Sequence, residues 1–116
     1  MNILFINGSP NSNGNTAALA KELLQGKEEV IVIGSPLYWH NICGSVRNIL
    51  DRFYGLVEND SLSGRTLYFL FQGAAPEKWM LEAGEYTMKR FAGLYGMKYA
   101  GMATNHSEAA KLSKKL

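Results

Sequence analysis

The sequence predicts an α/β fold built on a mainly parallel sheet of four strands. Four short apolar runs, "MNILFI", "EVIVIG", "RTLYFLFQG" and "MKYAGMAT", alternate with segments whose apolar residues recur at helical spacing. That alternation gives βαβ units with a core on both faces of the sheet. The polar, glycine-bearing stretches fall just after the strands, where an open α/β sheet carries its binding loops.

"MNILFI" (residues 1 to 6) is closed by Asn7-Gly8 and suits a buried strand. "NTAALAKELLQG" places Ala17, Leu19, Ala20, Leu23 and Leu24 on one helical face, with Asn or Thr to start it and Gly26 to stop it. "EVIVIG" is a second strand, and "SPLYWHNI" is expected to be a loop fixed by Pro36. "CGSVRNILDRFYG" carries Val46, Ile49, Leu50 and Phe53 on one face, with Gly55 as its cap. After the third strand, Pro76 is expected at a helix start, with Glu77 at the positive end of the dipole. "MKYAGMAT" is a fourth, weaker strand, and "SEAAKLSKKL" a terminal helix opened by a serine cap. The expected binding loops are residues 8 to 16, 35 to 42, 72 to 76 and 105 to 107.

Composition narrows the function. At 116 residues the chain suits one domain spanning residues 1–116, and 47% hydrophobic with 19% charged residues argues against disorder. A net charge of +2 is too weak to imply nucleic acid, and the basic tail of Lys111, Lys114 and Lys115 suits a solvated end. No apolar run approaches a membrane span, and no signal peptide is visible. Cys43 is the lone cysteine, so neither an internal disulfide nor a multi-cysteine metal site is expected, and nothing suggests a bound metal. A cytoplasmic protein is expected.

"GSPNSNGNT" (residues 8 to 16) follows the first strand and holds no charge. It is neither a Walker A loop nor the G-x-G-x-x-G dinucleotide fingerprint. It offers backbone amides at a helix start, hydroxyls from Ser9, Ser12 and Thr16, and amides from Asn11, Asn13 and Asn15. Unpaired amides and the helix dipole make an anion site without a cation, and a phosphate monoester fits. A strand-helix turn shaped by Pro10 and Asn13-Gly14 accounts for the same residues. The residues alone leave both readings open.

The loop resembles the phosphate-binding loop of the flavodoxin-like NAD(P)H-dependent FMN reductases, commonly G-S-P-R-x-x-G-N-T. "VIVIGSPLYWHNICGSVRNILDRF" is similar to that family's S-P-x-Y-W stretch and the helix after it, with its D-R pair at Asp51 and Arg52. "LFQG" occupies the place of its third flavin-side loop. The resemblance implies a flavodoxin-like three-layer sandwich that binds FMN, uses NAD(P)H as a transient co-substrate and reduces a small-molecule acceptor. It implies that Ser9, Asn11, Ser12, Asn15 and Thr16 surround the ribityl phosphate. Pro36, Leu37, Tyr38 and Trp39 would border the isoalloxazine ring, and Gln72 and Gly73 would approach its polar side. Asn11 stands where the family often has arginine, which implies weaker phosphate affinity. No catalytic acid or base is required, because the chemistry belongs to the flavin. His40 and His106 suit exposed loop histidines, Cys43 a small filler, and Asp51 and Arg52 helix capping or pairing.

The chain departs from the family between its first helix and second strand. "AKELLQGKEEVIVIGSP" joins them within a few residues, so one strand-helix unit is missing and the expected sheet has four strands. Three connections satisfy that join: a right-handed crossover with the first helix on the other face, a left-handed one, or exchange of segments between two chains. The edge at the first strand would be exposed unless covered, which implies a homodimer or higher oligomer. The preferred reading is an FMN-dependent oxidoreductase passing electrons from NAD(P)H to a quinone, free flavin or other small acceptor. The alternative is a non-enzymatic electron carrier or a degenerate flavin-fold binding protein.

Overall fold

The apolar run at the start of the chain forms β1 (Ile3–Asn7). The computed structural model describes residues 2–8, 23, 26, 28–55 and 57–116. After β1 come β2 (Val30–Tyr38), β3 (Asn41–Ile42), α1 (Gly44–Asp51), β4 (Thr66–Gln72), α2 (Lys78–Leu94), β5 (Lys98–Ala103) and α3 (His106–Ser113). Among the described residues the parallel strands run in the order β1-β2-β4-β5, as expected for a sheet reduced to four, and β3 pairs antiparallel with the end of β2.

Strand register explains the core. Leu4, Ile31, Leu67 and Tyr99 align across the sheet, as do Ile6, Ile33, Phe69 and Met102. These rows share one face because side chains alternate along a strand. Val46, Ile49, Leu50 and Phe53 from α1 and its following turn join this core, with Met88, Phe91 and Ala92 of α2 and Tyr95 just beyond it. Phe53 meets Phe91 and Tyr95 edge-on, at centroid distances of 5.4 and 5.3 Å, so the two helical segments pack together on that face. Helix α2 comes close because Gly84 presents no Cβ; one placed there would lie 2.3 Å from the Phe71 ring.

Within the connection from β1 to β2, Leu23 lies on the same face. Leu23 is helical and fully buried in that core, and the Arg65 guanidinium binds the carbonyls of Leu23 and Gly26. Each crossover steps the same way across the sheet, so right-handed connections place their helices together. The buried position of Leu23 agrees with the right-handed alternative. Among the described residues helix α3 alone lies on the opposite face, against β5, where Leu112 approaches Gly101. No described helix covers that face over β1, where Ile3 and Phe5 are 48% and 53% exposed.

Several elements differ from the sequence reading. Strand β2 runs on through Pro36 to Tyr38, and the expected loop is instead the tip of a hairpin. Proline lacks a ladder donor, yet at this position none is needed. The bond from Val30 N to Asn2 O shows that even-numbered amides of β2 point toward β1, and β1 ends opposite Gly34. Helix α1 stops at Asp51 with Arg52 as its cap, and Gly55 lies in the turn beyond, at φ 71°. Helix α2 starts after Glu77, so Pro76 precedes the cap. Asn105, not Ser107, caps α3: its side chain accepts the Glu108 amide at 2.8 Å.

Candidate functional site

Gly8 ends the first strand and starts the polar loop. Its amide donates to Gly34 O at 2.8 Å, extending the parallel ladder by one rung. Its carbonyl accepts Ser45 Oγ at 2.7 Å and Cys43 Sγ at 3.2 Å. A Cβ at Gly8 would meet Val46 Cγ2 at 2.5 Å and Cys43 Sγ at 2.8 Å, so glycine is sterically required. The loop therefore departs from a point fixed against the start of α1. Ser9, Asn11, Ser12, Asn15 and Thr16, the expected phosphate contacts, lie outside the described residues.

The second loop is organised by Ser35, a buried polar residue. Its hydroxyl accepts Cys43 N at 2.9 Å and donates to Pro36 O at 2.7 Å, which ties the end of β2 to the start of α1. Cys43 is thus a packed, buried linker between two backbone segments, in keeping with a filler role. At the hairpin tip Trp39 and His40 both take positive φ, 49° and 68°. A two-residue turn of this hand matches the twist of its strands but is usually made by Asn-Gly, so bulky residues here are strained. His40 offsets the strain by packing on α2, with Nδ1 3.4 Å from Met80 Sδ and its ring 5.5 Å from Trp79.

A cleft of about 910 Å³ opens at the carboxyl ends of the strands. Five of the expected ring-side residues line it together: Pro36, Leu37, Tyr38, Gln72 and Gly73. Trp39 does not; it stands at the hairpin tip, 94% exposed. Gly73 lets the two loops converge, since a Cβ there would lie 3.0 Å from Leu37 Cβ. The floor comes from the open sheet face, with Phe5, Gly34 and Leu70. Thr104, Asn105, His106 and Ala109 form the far wall.

Sequence reasoning missed the floor. The loop at 105–107 was legible as a strand-end loop, whereas Phe5 and Leu70 lie within runs that look buried on both faces. Asn105 and Glu108 shape the wall: Thr104 donates its amide and hydroxyl to Glu108 Oε1, at 2.7 and 2.6 Å. Those bonds hold the Glu108 carboxyl below its ordinary range. Among the described residues no lysine, arginine, aspartate or glutamate lines the cleft, so those residues suit a neutral, largely apolar group bearing a few polar edges. Among the described residues no three metal-ligating side chains come together, and no helix is long and apolar enough to cross a membrane.

The sequence matches no protein-family profile and no curated protein. Solved structures do match. The Trp repressor binding protein from Bacillus subtilis aligns over 98% of this chain and 96% of its own, at 19% identity and a TM-score of 0.71. An NADPH-quinone reductase from P. pentosaceus aligns over 98% and 95%, at 15% identity and a TM-score of 0.64. A flavoprotein in complex with FMN from Lactobacillus acidophilus NCFM aligns over 97% and 98%, at 17% identity and a TM-score of 0.59. The chain has the flavodoxin-like fold.

Proposed function

We propose that this flavodoxin-like chain is an FMN-binding oxidoreductase that passes electrons from NAD(P)H to a small acceptor such as a quinone or free flavin. One observation carries the reading: Pro36, Leu37 and Tyr38 from one strand end and Gln72 and Gly73 from another converge on one cleft beside the root of the polar loop. The neighbours that are reductases or hold FMN are consistent with it.

The residues present fit the flavin. The cleft has the volume of a cofactor pocket, and Gly34 and Gly73 leave backbone accessible on its floor and rim. Pro36, Leu37 and Tyr38 supply an apolar wall for a planar ring, and the Gln72–Gly73 backbone supplies polar groups for its edge. Ser9, Asn11, Ser12, Asn15 and Thr16 would hold the phosphate through hydroxyls and amides. Bound FMN would supply the redox chemistry, accepting a hydride from NAD(P)H and releasing electrons to the acceptor. The protein contributes position, an apolar surround and partial exclusion of water.

A non-enzymatic role, as carrier or degenerate binding protein, is favoured by the absence of any charged anchor among the described residues that line the cleft. FMN titration followed by fluorescence quenching tests the first point, and steady-state NADH or NADPH oxidation with a quinone tests the second. Saturable quenching without turnover selects the alternative. A colourless protein that leaves FMN fluorescence unchanged overturns flavin binding.

A further inference from the structure

We propose that two copies of this chain join through β1, edge to edge and antiparallel, with Leu4 facing the partner's Leu4 and Ile3 facing the partner's Phe5. The second copy then supplies the strand that the four-stranded sheet lacks at this edge. The proposal does not depend on flavin, although Phe5 also lines the floor of the cleft and Ile3 does not, so Ile3→Lys is the variant that tests the interface apart from it.

Strand β1 ends the sheet, and among the described residues it pairs with β2 alone. The bonds Val30 N to Asn2 O and Gly8 N to Gly34 O show that even-numbered peptide groups of β1 point inward to β2. Those of Ile3 and Phe5 therefore point outward, a row that another extended strand can satisfy. The strand itself carries no charge and no proline in "NILFIN", and its register with β2 runs unbroken, so among the described residues nothing in it blunts the edge.

The side chains select the occupant. On the open face Ile3 and Phe5 are half exposed, and both are apolar. An antiparallel register centred on Leu4 sets each against the other's copy, in hydrogen-bonded pairs, and buries four apolar side chains around the two-fold axis. The strand is uncharged, so a second copy meets it without like-charge repulsion, and a charged segment finds no counter-charge along it. A five-residue edge covers less area than a standard stable interface, so the dimer is reversible and concentration-dependent.

Sedimentation from about 1 to about 100 µM tests this. The weight-average mass should rise from 12.9 kDa toward twice that value. Phe5→Lys and Ile3→Lys should each hold it at one chain throughout, with an unchanged circular dichroism spectrum because both sites are half exposed. Tyr86→Lys, on an exposed part of α2, should dimerise as the parent does. Register is read by oxidising a mixture of Ile3→Cys and Phe5→Cys proteins in a Cys43→Ser background. Crosslinks should join unlike chains in excess over like ones. A parent that stays at one chain at 100 µM, dimers that survive both lysine variants, or crosslinking of Phe5→Cys mainly to itself would each overturn the proposal.

Discussion

Ser45 Oγ donates to the Gly8 carbonyl oxygen across 2.7 Å, so the second residue of α1 holds the root of the polar loop. Two segments 37 residues apart are locked together there, one residue beyond Asn7, which lines the cleft. Replacing Gly8 by Ala should cost about 1–3 kcal/mol, because the added methyl overlaps Val46 and Cys43 in a packed core. Ser45→Ala should cost about 0.5–1.5 kcal/mol, the range for one hydrogen bond. Urea unfolding with unchanged m-values checks both.

Gly84 sits within a 17-residue helix, where alanine would ordinarily stabilise by about 1 kcal/mol. Here its Cβ would lie 2.3 Å from the Phe71 ring, so Gly84→Ala should destabilise instead. Phe71→Leu alone should also destabilise, by leaving a cavity. The pair should lose less than the sum of the singles, a coupling that a double-mutant cycle measures.

Tyr99 donates its hydroxyl to Glu85 Oε2 at 2.9 Å. Burial, then the Glu85 hydrogen bond and charge, raise its pKa well above the ordinary tyrosine value of 10.0. A raised pKa means the folded state keeps a proton that the unfolded chain loses. The contribution is full below pH 10.0 and fades as the pH climbs above it. Tyr99→Phe should flatten this alkaline decline in chemical-denaturation midpoints taken across that range.

Glu108 titrates in the opposite sense. Its carboxyl is held low, first by the Thr104 hydroxyl and then by the Thr104 amide. Its contribution is therefore present above the unfolded value of 4.5 and lost as the pH falls through the lower folded value. Acidification should loosen the start of α3 and the cleft wall before the sheet responds. Amide exchange at Thr104 and Glu108 should accelerate first, and Glu108→Gln should remove that pH dependence.

The strand-end side of the cleft was legible because proline, glycine and the polar loop residues punctuate apolar runs. Pro36, Leu37, Gln72 and Gly73 follow from that pattern. The floor was not, since a parallel strand apolar on both faces does not reveal which face a helix leaves open; Phe5 shows this, apolar yet half exposed. The length of β2 was hidden by Pro36, whose missing donor matters only if a neighbour reaches that far, and β1 does not. The cap of α3 depended on a choice between Asn105 and Ser107, both competent acceptors, that the strand's end point decides. The reduced sheet was legible in a connection too short for another strand and helix, and the edge position of β1 follows from it.

FMN titration of the purified chain, followed by flavin fluorescence and visible absorption, tests the central reading most directly. Quenching that saturates at one flavin per chain, with a shifted visible band, is the predicted result. Free-flavin fluorescence and an unshifted spectrum at every protein concentration would contradict it.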